Sequence, residues 1–237
     1  RMRRVLPILF NTEMVRAILD GRKSCTRRIV KPQPQGKLCY RLAGSDYGTW
    51  GYPSKTAREI WGEAYKLPDN ITKDELNKRW NPPYHTDDIL YVRETWHKYT
   101  KRIGKGESCR LAEFYGYKAS VANSEDAEEP WKPSIHMPKE AARIWLKVTD
   151  VRVERLQSIT VEGAIKEGAE GEKCHHTNAG AFGCTDCMNT GWIEPPQVEF
   201  MQIWDSTIKK PDIDRYSWQA NPWVWVIEFE CCEKPED

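Results

Sequence analysis

The sequence lacks any apolar run that approaches the length of a membrane span, and it shows no internal repeat. The apolar part of its first ten residues is too short for a signal peptide. Its net charge is only +1, which argues against a protein that coats nucleic acid non-specifically. An apolar content of 39% in 237 residues supports a core despite 30% charged residues. We therefore expect a soluble, globular protein of the cytoplasm that has no membrane as a partner.

Positive charge is concentrated near the amino-terminal end. Residues 1–31 carry nine basic and two acidic side chains, which is a local excess of seven positive charges. Such a patch would attract a ligand that bears phosphates, including a polynucleotide. Arg22, Arg27 and Arg28 are therefore predicted substrate contacts. The alternative is a solvated basic surface without a ligand.

The hydrophobic patterns predict a mixed fold of strands and helices. Residues 5–10 form a short strand, followed by a helix that Asn11 or Thr12 can cap and that Gly21 ends. Because strands and helices are interleaved without a regular βαβ alternation, we expect an α+β fold with a mostly antiparallel, barrel-like sheet. Further strands are predicted at 89–96, at 144–156 and, as a central strand, at 223–229; helices are predicted near 73–80, 160–168 and 200–208.

Three residues suited to acyl-transfer chemistry occur in two segments. Lys23 and Thr26 lie three residues apart after the first predicted helix, and a desolvated lysine can activate such a hydroxyl. Glu94 lies in a strand-like apolar run, where an acid is unusual unless it is paired or used. In the alternative, this carboxylate only holds the sheet in register by pairing with a base: Arg93, Lys23 or Arg27.

A group of cysteines and histidines has the spacing of metal ligands. In a reducing compartment the eight cysteines are expected as thiols or metal ligands rather than as disulfides. A CxxC pair and an earlier Cys-His-His run lie within fourteen residues, which suits tetrahedral zinc in a structural site. The favoured ligands are Cys174, His176, Cys184 and Cys187. The alternatives are His175, Asp186 or water as the fourth ligand, a hydrolytic zinc, or a loop of free thiols.

Several segments together carry a family resemblance. They are PILF at 7–10, GRKSCTRR at 21–28, YVRETW at 91–96, PSIHMP at 133–138, WDS at 204–206 and NPWVWV at 221–226. In combination they resemble the ASCH domain of the PUA-like superfamily, in the longer form found in bacteriophages and prophages. The resemblance implies a PUA-like β-barrel with flanking helices and a ligand cleft. It also implies one domain over 1–237, with insertions at about 36–82 and 171–196, the latter a zinc knuckle.

The resemblance also implies a function. PUA-like proteins bind RNA or modified bases, and some compact ASCH proteins are amidohydrolases that remove acyl groups from N4-acylated cytidines. Their proton acceptor, nucleophile and proton donor fall on Lys23, Thr26 and Glu94. The competing hypothesis is a non-catalytic module that binds RNA or a modified base in the same cleft. Both hypotheses expect a nucleoside or modified-base ligand, and the remaining substrate contacts are predicted on Tyr91, Arg93 and Trp96. The oligomeric state is left open.

Overall fold

A computed structural model describes residues 4–41, 48–53, 66–105, 109–121, 130–175, 184, 187–188 and 190–236. The chain divides into two compact units. The first unit consists of Arg1–Ser24, Thr86–Thr149 and Phe229–Asp237, and the second consists of Cys25–His85 and Asp150–Glu228. Each unit is therefore built from segments that are distant in sequence. The single domain with two insertions stays a prediction.

The described residues contain eleven strands and five α-helices. The strands are β1 (Val5–Leu9), β2 (Cys25–Ile29), β3 (Cys39–Tyr40), β4 (Trp50–Gly51), β5 (Ile89–Arg93), β6 (Trp96–Ile103), β7 (Arg110–Tyr117), β8 (Trp145–Arg155), β9 (Glu172–Lys173), β10 (Trp192–Glu194) and β11 (Trp223–Cys232). The helices are α1 (Thr12–Leu19), α2 (Lys73–Asn77), α3 (Val161–Lys166), α4 (Pro196–Thr207) and α5 (Ile213–Tyr216).

The main sheet has five strands within the described part of the chain, in the order β1-β5-β8-β11-β2. Strand β1 runs parallel to β5, whereas β5 with β8 and β2 with β11 are antiparallel. The predicted α+β class is confirmed, and so is β11 as a central strand, because β8 and β2 flank it. The predicted closed barrel is wrong for the described strands, since β1 and β2 remain as the two edges of the sheet.

In the first unit, local signals set the ends of α1. The Asn11 side chain accepts a hydrogen bond from the backbone N–H of Met14 at 2.8 Å, which caps the helix. Gly21 follows the helix with a φ of +73°, a backbone conformation that favours glycine. The predicted strand over 89–96 is in fact two strands, because β5 ends at Arg93 and Trp96 begins the hairpin β6–β7.

In the second unit, β2 and β11 place different residues on their two faces. Because side chains alternate along a strand, Thr26 and Arg28 lie on one face of β2, and Cys25 and Arg27 lie on the other. The face of Cys25 covers the apolar core of this unit, whose buried members are Cys25, Leu156, Ile159, Ala164, Ala169, Phe200, Trp204, Val224 and Val226. The short pairs β3–β4 and β9–β10 fall within the two predicted insertions.

Candidate functional site

Lys23 follows the end of α1 in the first unit. The backbone N–H groups of Arg22 and Lys23 both donate to the carbonyl oxygen of Ala17, at 2.8 and 2.9 Å. This turn leaves Lys23 only 3% exposed. Its Nζ lies 5.7 Å from the ring centroid of Phe10, within the range of a cation–π contact. A buried lysine is rare in proteins, so its position supports a specific role.

Thr26 and Arg28 form a pair on one face of β2 in the second unit. Thr26 is 1% exposed, and its Oγ1 accepts a hydrogen bond from Arg28 Nη1 at 2.8 Å. The same Nη1 donates to the carbonyl oxygen of Arg27 at 3.1 Å. Because the hydroxyl accepts from Arg28, its own proton stays available for a base. The pairing therefore orients Thr26 and places a positive charge at its oxygen.

Arg28 is half-buried, and its charge is partly desolvated. Burial lowers the pKa of Arg28, while the charge of Glu167 and the hydroxyl of Tyr84 oppose this effect. Burial also raises the pKa of Tyr84, and Arg28 opposes that shift. The guanidinium nevertheless keeps its charge near neutral pH, because arginine is effectively always protonated in proteins. Thr26 Oγ1 thus faces a permanent cation in a region of reduced solvent screening.

Arg27 points to the opposite face of β2 and is held inside the second unit. Its guanidinium lies 3.2 Å from a carboxylate oxygen of Glu167 and 3.6 Å from one of Glu154. It also lies over the ring of Phe200, with 5.6 Å to the centroid. Only 2% of the Arg27 side chain is exposed. The structure therefore gives Arg27 a packing and pairing role, and its predicted substrate contact stays a prediction.

Glu94 forms a two-point ion pair in the first unit. Arg143 Nε and Nη2 donate to the two carboxylate oxygens of Glu94, at 2.9 and 3.0 Å. Glu94 is 1% exposed, and the Arg143 guanidinium also lies 4.1 Å from the ring centroid of Tyr117. The sequence did not indicate Arg143, because it lies 49 residues from Glu94 and no spacing marks it. The partners considered from sequence were Arg93, Lys23 and Arg27.

The other predicted substrate contacts of the first unit have partners within that unit. Arg22 is exposed and pairs with Asp20 at 3.1 Å. Arg93 donates to the carbonyl oxygens of Met137 and Ile135. The Tyr91 ring lies 6.0 Å from that of Trp145, and Trp96 is 6% exposed in a core with Met137 and Ala141. Their contacts with substrate stay predictions.

Three thiols meet in the second unit in the arrangement of a metal site. The sulfur atoms of Cys174, Cys184 and Cys187 all lie within 4.8 Å of one another, and those of Cys174 and Cys184 are 3.6 Å apart. Zinc–sulfur bonds of about 2.3 Å at tetrahedral angles place two sulfurs roughly 3.8 Å apart. The cluster can therefore hold a metal ion. The predicted fourth ligand, His176, and the alternative ligand Asp186 lie outside the described residues.

The backbone around the thiols closes the loop. The N–H of Cys174 donates to the carbonyl oxygen of Gly191 at 3.1 Å, which ties the two ends of the segment together. The N–H and Oγ1 of Thr190 both donate to the carbonyl oxygen of Cys187, at 2.8 and 2.6 Å. Met188 has a φ of +46° and turns the chain directly after Cys187. These hydrogen bonds link the backbone at Cys174 and Cys187 to that of Gly191 and Thr190.

No protein-family model matches this chain, and neither a curated protein nor a solved structure matches it. The ASCH resemblance therefore stays a hypothesis that the sequence motifs alone support. Among the described residues, no helix has the length and apolar character that crossing a membrane requires.

Proposed function

We propose that the protein is an amidohydrolase that removes acyl groups from N4-acylated cytosine or cytidine, with Lys23, Thr26 and Glu94 as its reacting residues. The observation that carries the proposal is burial, since these residues are 3%, 1% and 1% exposed. They are three of the seven buried polar residues in the described part of the chain. Buried polar groups are concentrated where pairing or chemistry requires them. The motifs that resemble a PUA-like ASCH domain give the same three residues these roles.

In the proposed reaction, the Lys23 side chain acts as a neutral amine and accepts the proton of the Thr26 hydroxyl, and Thr26 Oγ1 attacks the acyl carbon of the substrate amide. The hydrogen bond from Arg28 to this oxygen at 2.8 Å stabilises the negative charge that the oxygen carries once its proton has left, before that charge passes to the acyl carbonyl oxygen. The C–N bond then breaks, the exocyclic amine of cytosine leaves with a proton from Glu94, and an acyl ester remains on Thr26. Water hydrolyses this ester and restores the hydroxyl.

Arg143 sets a condition on the role of Glu94. Both oxygens of Glu94 accept hydrogen bonds from Arg143, which is the geometry of an ionised carboxylate. Glu94 must therefore take up a proton before it can protonate the amine. In the proposal, the proton that Lys23 takes from Thr26 passes to Glu94, and Glu94 gives it to the amine. The nucleophile thus supplies the proton of the leaving group, and the reaction requires no external acid.

The test is to incubate the full-length protein with N4-acetylcytidine and to follow the ultraviolet change as cytidine appears. Lys23→Ala and Thr26→Ala should each reduce turnover by at least about a hundredfold, because each removes an acid–base group or the nucleophile. Thr26→Ser keeps a hydroxyl and should retain measurable turnover. Thr100→Ala is the matched control, because Thr100 is an exposed threonine of β6.

Two outcomes would contradict the enzyme hypothesis. If folded Thr26→Ala and Lys23→Ala variants hydrolyse the substrate at the normal rate, the assignment of the reacting residues is wrong. If the unmodified protein binds N4-acetylcytidine without turnover, the non-catalytic module that reads RNA or a modified base replaces the enzyme.

We also propose that the Cys174, Cys184 and Cys187 cluster binds one structural zinc ion, with His176 as the fourth ligand. Three thiolates suit zinc, and four protein ligands leave no open position for catalysis. We also propose that the protein acts in the cytoplasm, a reducing compartment in which its eight cysteines would remain thiols or metal ligands. Zinc would stabilise a loop whose short strands β9 and β10 contain only two and three residues.

Metal analysis of the purified protein should find about one zinc per chain, and Cys184→Ser/Cys187→Ser should lose it and melt at a lower temperature. Cys109→Ser is the control, because Cys109 is exposed and lies outside the cluster. Purified protein without metal, or a double variant that keeps its zinc, would contradict the site. Loss of all turnover in a chelated but folded sample would contradict the structural role and indicate a catalytic one.

A further inference from the structure

The hairpin β6–β7 of the first unit has two chemically different faces. Its residues pair in an unbroken antiparallel register, from Trp96 opposite Tyr117 to Ile103 opposite Arg110. We define the inner face as Trp96, Lys98, Thr100, Arg102, Leu111, Glu113, Tyr115 and Tyr117. We define the outer face as His97, Tyr99, Lys101, Ile103, Arg110, Ala112, Phe114 and Gly116. The alternation of side chains along each strand assigns these two sets.

The inner face packs against the rest of the first unit at the base of the hairpin. Trp96 belongs to the buried core with Met137 and Ala141, and Tyr115 and Tyr117 pack against that core. Further along, Lys98 pairs with Glu113 at 2.7 Å. The base of the inner face therefore has packing partners, and one of its cations is already paired.

The outer face carries a continuous row of aromatic rings. Trp131, which precedes the bridge between Lys132 and Trp96, lies 4.6 Å from the His97 ring, and His97 lies 5.4 Å from Tyr99. Tyr99 and Phe114 are stacked, with 5.7 Å between centroids and an angle of 26°. All four rings are only half-buried. They form a partly exposed aromatic surface on the outer face of the hairpin.

Gly116 makes this row possible. A Cβ atom at Gly116 would lie 1.9 Å from Nε2 of His97, so the imidazole occupies the space that any other residue would fill. His97 therefore lies over Gly116 on the neighbouring strand, and its ring is 4.6 Å from that of Trp131.

The charge of the outer face complements a polyanion. Lys101 and Arg110 are exposed cations beyond the rings, and none of the eight outer-face residues is acidic. Stacked rings beside cations are the combination that binds unpaired bases and their phosphates, because every base offers an aromatic face and the backbone is negatively charged. A duplex would not expose its bases to such a surface.

We propose that the outer face of the β6–β7 hairpin binds single-stranded nucleic acid, with Tyr99 and Phe114 stacking on bases and Lys101 and Arg110 contacting phosphates. This surface is distinct from the reacting residues of the proposed hydrolase, and its binding does not depend on Thr26.

The experiment measures fluorescence anisotropy of labelled twelve-nucleotide oligouridine and oligothymidine with the full-length protein at low salt. Binding of either supports the proposal, and their ratio tells whether RNA or DNA is preferred. An abasic oligomer of the same length and charge should bind at least about tenfold more weakly, because it cannot stack. Tyr99→Leu/Phe114→Leu keeps apolar side chains but removes the rings. This variant should bind the abasic oligomer and the oligomers with bases equally well.

In Lys101→Ala/Arg110→Ala, the slope of log K against log salt concentration should become shallower by about 0.7 for each cation removed. Arg102→Ala changes a cation on the inner face of β6, next to Lys101, and should leave the outer-face contacts intact. No binding at low salt would overturn the proposal. Equal binding of the abasic oligomer would also overturn it and indicate a general acidic partner. Equal losses from Lys101→Ala and Arg102→Ala would show that the outer face is not the binding surface.

Discussion

Replacing Arg27 with methionine is expected to destabilise the second unit, although the sequence suggested Arg27 as a ligand contact. Methionine keeps much of the apolar stem and removes the guanidinium. That group lies 3.2 Å from Glu167 and 3.6 Å from Glu154. The side chains of Arg27 and Glu167 are only 2% and 6% exposed. The substitution therefore removes a cation that lies 3.2 Å from a buried carboxylate.

The magnitude follows from how well the remaining charges can be stabilised. Breaking a buried ion pair from one side costs about 3–5 kcal/mol. Two features reduce the cost here, since the Glu154 side chain is 28% exposed and Arg28 also interacts electrostatically with Glu167. We expect Arg27→Met to lower the free energy of unfolding by about 3 kcal/mol. Glu167→Gln should cost roughly 1–2 kcal/mol, because Arg27 retains Glu154.

Urea unfolding followed by tryptophan fluorescence measures these changes. The double variant Arg27→Met/Glu167→Gln should lose less than the sum of the single losses, because it leaves neither member of the pair buried alone. Arg22→Met is the matched control, since the Arg22–Asp20 pair is 40% and 58% exposed and should contribute less than about 1 kcal/mol. If Arg27→Met proves as harmless as Arg22→Met, the account of burial and pairing is refuted.

Two further predictions concern the second unit. Burial raises the pKa of Glu228, but hydrogen bonds from Lys166 and Arg152 outweigh it and hold the pKa below its ordinary value. The stability that Glu228 contributes is therefore fully present above about pH 4.3 and is lost as the pH falls through the lowered pKa. In urea unfolding at a series of acidic pH values, the free energy of unfolding should decline less steeply for Glu228→Gln than for the unmodified protein. A Cβ at Gly171 would lie 2.6 Å from Cδ of Pro196 and 2.8 Å from its backbone nitrogen. Gly171→Ala should lower the free energy of unfolding by about 1–3 kcal/mol in the same assay, and unchanged stability would mean that this backbone can move apart.

Elements with strong local signals could be predicted from the sequence. Helix α1 has a capping asparagine and a terminal glycine, and α3 follows Thr160, whose Oγ1 accepts from the N–H of Gly163 at 3.0 Å. Strand β11 is almost continuously apolar or β-favouring, and it is central in the sheet. In each case neighbouring residues determine the structure, so a single sequence carries the information.

The hairpin β6–β7 shows what local signals leave out. Strand β6 contains three basic residues, and away from the base of the hairpin both of its faces carry polar side chains, so no clean apolar alternation marks it. Pairing with β7 over eight residues stabilises it instead, and such pairing is a property of two segments. The ion pair of Glu94 with Arg143 is hidden for the same reason, because its members lie 49 residues apart.

Arg27 and Arg28 show how the same limitation applies to function. They are neighbours in a basic run, and the sequence predicts a phosphate contact for both of them equally. In β2, which pairs with β11, side chains alternate between the two faces. Arg27 therefore lies next to the carboxylates of Glu154 and Glu167, whereas Arg28 lies next to the hydroxyl of Thr26. Removing the first should therefore lower stability, whereas removing the second should mainly slow the proposed attack by Thr26. The two side chains are chemically identical, and their positions in β2 differ by one residue. Position alone therefore gives Arg27 a role in stability and Arg28 a role in the proposed reaction.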